Sequence, residues 1–335
     1  MPSRSIPRTV LMLALILATA CGGGGSSPTA PTATSTGQQT STPTATTLTL
    51  TGTATNIITG ATISGGVIEV GSETATSGAD GTYSLTVTAS STQSFSVSAS
   101  GYYTRHSSVS MTGVSTVNLQ LIPHGDGFNL ALFDHLFREK GQNGTGRWTS
   151  QPTFEIWTQE FTCLETNSNG EACLKYQAKG PAPTIFETNV RNSIAKMGQL
   201  TGSALSGSPI TTKMHSVGTT LTHNDWGTTA GTISFAYVTG LYGENNAGAS
   251  GDPNNKIHID YGANVYTDQT IHLHEVAHAV GFRHPDGSNN MPQPGIMGPW
   301  PYQWTSADEL LGRILYLRPT GSLTPDIDPA GTIIN

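Results

Sequence analysis

The chain has 335 residues, enough for two or three domains and at least one sizeable core, yet only 11% of them are charged and the formal net charge is −7. So sparse and acidic a balance gives no electrostatic footing for nucleic-acid binding. The abundance of Gly, Ser and Thr is that of extracellular β-rich proteins.

Arg4 and Arg8 precede an apolar run, Val10 to Leu17, followed by Ala18, Thr19, Ala20 and Cys21. A basic start, a short apolar stretch and small residues predict an export signal over 1–20, too short for a comfortable membrane span. Cysteine directly after the small residues resembles the lipobox of bacterial lipoproteins, with Ala18 departing from the usual Leu. That resemblance implies lipidation of Cys21 and attachment to the cell envelope; an ordinary secretory signal cut near Ala20 is the alternative. Residues 21–47 are rich in Gly, Ser, Thr and Pro, with almost nothing to bury, and predict a flexible linker.

Residues 48–122 read as short alternating segments (TLTLTGTA, GGVIEVG, TYSLTVTA, SFSVSAS, VNLQL) with an Asp80-Gly81 turn, predicting a small antiparallel all-β sandwich. The stretch GATISGGVIEVGSETATSGADGTYSLTVTA, then SASGYY, resembles the carboxypeptidase-regulatory-like (transthyretin-like) module. With no His, Cys or carboxylate cluster, this part reads as a spacer or binding module.

Residues 123–335 predict an α+β domain. PTFEIW (152–157) reads as a strand with Phe154 and Ile156 inward. Cys163 and Cys173 are an even pair in an exported chain and point to a disulfide closing a short hairpin. Two free thiols or a metal pair are the alternatives. Thr184 with Glu187 forms a capping-box pattern before a helical face of Phe186, Val190, Ile194 and Met197. TISFAYV (232–238) and KIHID (256–260) read as strands, and Ser306 with Glu309 as the cap of a helix carrying Leu310, Ile314 and Leu317. GENNAGASGDPNN (243–255) reads as a solvated loop; its composition admits an ion such as Ca2+, which nothing else in the sequence supports.

The segment HEVAHAVGFRHP, 274–285, concentrates three of the chain's ten histidines. On a helix, His274 and His278 share a face, with Glu275 beside them; Leu273, Val276, Ala277 and Val280 form the opposite apolar face. Gly281 can adopt the left-handed conformation that ends a helix and returns His284 as a third ligand, and Pro285 blocks resumption. Three neutral imidazoles leave one tetrahedral position open, as in a catalytic rather than a structural zinc site. His272 and His258 are poor ligand candidates: one lies on another helix face, the other within a strand.

The complete H-E-x-x-H-x-x-G-x-x-H spacing resembles the metzincin zinc endopeptidases, and Gly295-Ile296-Met297-Gly298-Pro299 resembles their Met-turn, placing Met297 beneath the metal. KIHIDYG, IMGP and TSADELLGRILYL resemble the matrixin branch over about residues 150–318; Pro299, where astacin-like relatives have Tyr, agrees with that branch. The resemblance implies a multidomain protein in which an all-β sandwich is followed by an α+β metzincin-like zinc peptidase domain. It implies one catalytic Zn2+ on His274, His278 and His284, with Glu275 as general base and a peptide or protein as substrate. No P-R-C-G cysteine switch precedes the domain. The expected substrate edge is TISFAYV, with an apolar wall from Pro299 to Tyr302. The competing reading is a surface lipoprotein acting as a binding or adhesion module with a structural zinc.

Overall fold

The computed structural model describes residues 46–334 except 90–91, 114–115, 140, 142, 168–172, 223–224, 226–229, 241–244, 246, 252 and 286–294. The signal segment 1–20, Cys21 and nearly all of the 21–47 linker lie outside the described residues. The described chain is strand-rich and built from several sheets.

Seven strands open it: β1 (Thr47–Asn56), β2 (Val67–Val70), β3 (Glu73–Thr76), β4 (Thr82–Thr88), β5 (Thr92–Ser98), β6 (Arg105–Ser110) and β7 (Leu119–Leu121). Side chains alternate across a strand, so TYSLTVT in β4 buries Tyr83, Leu85 and Val87 and leaves Thr and Ser to water. The same period in β1, β2 and β5 supplies a core that includes Leu50, Ile68, Phe95 and Val97 between two sheets. At the Asp80-Gly81 turn, Gly81 takes φ 76°. Asp80 Oδ1 accepts there from the Thr82 N–H at 3.0 Å and its hydroxyl at 2.7 Å. The sandwich is not purely antiparallel: β1 pairs with β7 in parallel, and β6 pairs in parallel with β15 (Ile333–Ile334) from the end of the chain. Pairing across that sequence distance leaves no local signal.

The remaining elements are α1 (Leu130–Phe137), β8 (Thr153–Thr166), β9 (Cys173–Pro181), α2 (Thr184–Leu200), β10 (Ile210–Lys213), β11 (Thr220–Thr222), β12 (Thr232–Thr239), β13 (Ala247–Gly251), β14 (Lys256–Tyr261), α3 (Gln269–Ala279) and α4 (Ser306–Leu317). One sheet runs β11-β9-β8-β12-β14-β13, with β10 also paired to β8. Ile233, Phe235, Ile257, Ile259 and Tyr261 project from one face into the large core shared with the helices. On the other face Trp157, Phe161, Tyr176, Ala236 and Val238 form a smaller cluster. Central β12 is therefore buried on both sides, which is why TISFAYV carries no polar alternation beyond Thr and Ser.

Two helix starts differ from expectation. Thr184 is the first helical residue rather than a cap: Pro183 stands at the N-cap without a side-chain hydrogen bond, and Glu187 pairs with Arg191 one turn on. In α4 the capping box sits one residue earlier, with Thr305 as N-cap and Asp308 as its partner, while Glu309 accepts from the Trp304 indole at 2.7 Å. The buried face of α4 accordingly holds Leu311, Ile314 and Leu315, and Leu317 is exposed.

The sandwich and the larger α+β part belong to one compact unit, Ala45–Asn335. Ile57 and Ile122 from the sandwich end join the large core. Arg318, fully buried, forks onto Asp326 at 2.6 and 2.7 Å and donates to the Gln120 carbonyl at 2.8 Å. Arg105 of β6 meets Asp328 at 2.9 Å. The segment 319–334 thus runs back along the sandwich and ends as β15.

Candidate metal centre

Helix α3 is started by Asp268, whose Oδ1 accepts the Thr270 N–H at 2.8 Å, a side-chain N-cap. Leu273, Val276, Ala277 and Val280 bury into the large core, so the face carrying His274 and His278 is turned away from it. At the far end Gly281 takes φ 112°, where a Cβ would lie 2.5 Å from the Gly146 carbonyl oxygen. Both the backbone sign and the close approach call for glycine. The last carbonyls of the helix, which lack intrahelical partners, are met from outside. The Trp148 indole donates to Ala279 at 2.7 Å and the Tyr316 hydroxyl to Val280 at 3.1 Å.

The reversal at Gly281 brings His284 back to the other two imidazoles. His278 Nε2 lies 3.2 Å from His274 Nε2 and 3.1 Å from His284 Nε2. The first of these cannot be an ordinary hydrogen bond. His274 Nδ1 sits 2.6 Å from the Ile296 carbonyl and His278 Nδ1 2.8 Å from the Phe282 carbonyl. A carbonyl only accepts, so each Nδ1 carries the proton and each Nε2 presents a lone pair. Lone pairs facing at this distance repel unless a cation lies among them, so the donor set fits a divalent metal with nitrogen preference. Burial keeps the imidazoles neutral, pushing His274 down to about 3 and His278 to about 4, and lowers His284 as well. Among the described residues these three are the group of His, Cys, Asp or Glu able to hold a metal ion.

Around this trio lies a supporting layer. Tyr302 stacks on His274, ring centroids 3.8 Å apart and planes within 14°. Ile296 N–H is held by both oxygens of Asp308, at 3.2 Å each, fixing the carbonyl that orients His274. Met297 is buried, and its main-chain carbonyl meets His284. Tyr302 and Asp308 as supports of the ligands had no sequence expectation; their signal was weak, an aromatic shortly after the Met-turn and an acidic residue in a helix start.

Glu275 is buried rather than open, at 5% exposure, and its Oε2 has no hydrogen-bond partner among the described residues. Burial pushes its carboxyl up to about 8, opposed by the Ala249 backbone N–H. Burial without a counter-charge favours the neutral carboxyl, so Glu275 needs a neighbouring cation to stay ionised. It lines two cavities. One, of about 520 Å³, is bounded by His278, His284, Gly251 and Pro253; the other, of about 400 Å³, by Asp268, Ile271, Trp300 and Tyr302.

The strand expected to receive substrate is wrong in position. TISFAYV is β12, hydrogen-bonded on both edges by β8 and β14, so it has no free edge to offer. The terminal strand is β13, AGASG, lying within the stretch read as a solvated loop, and Ala247 and Ala249 pack on the helix-side core. Its small residues let it lie close against Glu275.

The two further histidines weighed from the sequence, His272 and His258, lie elsewhere. His272 is buried, donates from Nε2 to the Tyr266 carbonyl at 2.8 Å and stacks on Tyr261. His258 lies on the opposite sheet face, bridging Ser234 at 2.8 Å and Asp260 at 2.7 Å. Cys163 and Cys173 form a disulfide across the β8–β9 hairpin, Cα atoms 5.7 Å apart. Cys21 lies outside the described residues. A scan against protein-family models found no match, and a search of curated proteins found none either.

Proposed function

We propose that the chain is an exported zinc-dependent endopeptidase of the metzincin type, matrixin-like in its Met-turn, anchored to the cell envelope through a lipid on Cys21. The observation that carries this reading is the convergence of three imidazole Nε2 atoms, two of them unprotonated, on a cavity that Glu275 also lines, its Oε2 without a hydrogen-bond partner among the described residues, beside the edge strand β13. His274, His278 and His284 would hold the zinc. Bound there, zinc supplies Lewis acidity that acidifies a water and polarises a peptide carbonyl, and its charge favours an ionised Glu275.

This chain's residues do the rest. The edge of β13 binds an extended peptide by its backbone, as a sheet accepts a further strand, whatever the side chains. Glu275 Oε2 takes a proton from the water as its oxygen adds to the carbonyl carbon, then delivers it to the nitrogen as the C–N bond breaks. Ile296 and Phe282 carbonyls hold two imidazoles in the tautomer that keeps Nε2 free. The test is cleavage of an unfolded protein by the full chain, abolished by a chelator and restored by zinc. Zinc binding without cleavage of any peptide would instead support a binding module with a structural metal.

A further inference from the structure

The two cavities beside Glu275 differ in chemistry, and the difference bears on substrate choice, an inference that rests on the peptidase reading. β13 pairs with β14 on one edge, and no strand among the described residues pairs with the other. A peptide added to it antiparallel, the pairing with the better hydrogen-bond geometry, runs from the Gly251 end towards Ala247. Its N-terminal half then lies over the cavity lined by Gly251 and Pro253, and its C-terminal half over the one lined by Ala247 and Trp300. The side chain following the scissile bond enters the second.

That cavity is lined by apolar Val265, Ile271, Trp300 and Tyr302, and also by Asp268 and Asn264. Asp268 Oδ1 is taken by the Thr270 N–H and hydroxyl, at 2.8 and 2.7 Å, while Oδ2 has no hydrogen-bond partner among the described residues. No Lys or Arg lines the cavity among the described residues, and Glu275 adds a second carboxyl at its mouth. An aliphatic side chain filling this space would cover the Asp268 carboxylate without pairing it, which is costly. A long cationic side chain avoids that cost. Its methylenes can lie along Val265 and Ile271 and its charge pair with the Asp268 carboxylate, beside the aromatic Trp300 and Tyr302 of the same lining.

We propose that Asp268 is a specificity-determining residue that selects arginine or lysine immediately after the scissile bond, so that the substrates are polypeptides cut on the amino side of basic residues.

The test uses blocked hexapeptides with a single varied position, arginine, its neutral isostere citrulline, or leucine, on an alanine background. Binding is measured to the full-length, zinc-loaded Glu275→Gln chain, and cleavage with the wild type. Arginine should be preferred over citrulline and leucine by about tenfold or more, a preference shrinking at high salt. In Asp268→Asn the preference should collapse towards one; asparagine can still accept the Thr270 N–H, so the helix cap is kept. Leucine binding as well as arginine in the wild type, or a preference surviving in Asp268→Asn, overturns the proposal. Cleavage with an apolar preference leaves the peptidase reading standing and removes this one. Selective binding of arginine without cleavage does the reverse.

Discussion

Asp308 holds the Ile296 N–H with both carboxylate oxygens at 3.2 Å while also closing the capping box of α4 with Thr305. One side chain thereby starts a helix and braces the residue whose carbonyl meets His274, tying the histidine group to α4. Asp308→Ala should lower metal affinity by about 10- to 100-fold, the usual effect of removing a ligand's outer support. Loss of the capping and buried hydrogen bonds should cost about 1–3 kcal/mol. Zinc titration against a competing chelator, with denaturant unfolding of the zinc-free chain, separates the two effects. Unchanged affinity would remove Asp308 from the site.

The Arg318–Asp326 pair is fully buried, and Arg318 also reaches the Gln120 carbonyl of β7. Asp326→Ala leaves that guanidinium without its partner and should cost about 3–5 kcal/mol. Urea unfolding of the full chain measures it, and limited proteolysis should find the 319–334 segment cut earlier. This segment, with Ile57 and Ile122, ties the sandwich to the large core, so the full chain is the unit whose stability is measured.

Cys163 and Cys173 lie towards the sheet face opposite α3, where Cys173 joins the Trp157 cluster. Replacing both with serine should lower stability by about 2–3 kcal/mol in the chain-entropy treatment while peptide hydrolysis at moderate temperature persists. Thermal unfolding under reducing and non-reducing conditions checks the first; loss of activity in the folded double variant contradicts the second.

Anchoring is tested at Cys21. Cys21→Ser should move the protein from the membrane fraction to the soluble one or block normal processing. Membrane association and mature mass unchanged in that variant would refute lipid attachment.

The three-histidine group was legible because helical periodicity is short-range: His274 and His278 share a face at i, i+4, and Gly281 marks the reversal. β13 was not legible, because AGASG lacks the β-branched and aromatic residues by which strands are read; its smallness instead suits close packing on Glu275. The start of α4 was ambiguous by one residue, since Thr305 and Ser306 are each followed three positions on by an acid. Ile296, distant in local pattern, decided for Thr305 by drawing in Asp308. The parallel β6–β15 pairing joins residues more than two hundred positions apart, a contact that no window of sequence contains.

The central claim is that Glu275 acts on a water at a metal held by three histidines, and the most direct measurement pairs metal content with peptide hydrolysis in Glu275→Gln and His278→Ala. Glu275→Gln keeps all three imidazoles, so zinc content and folding should match the wild type while hydrolysis falls by about 10²–10⁴-fold or more. His278→Ala should lose both zinc and activity. Full proteolytic activity in Glu275→Gln, or wild-type zinc content in His278→Ala, would contradict it.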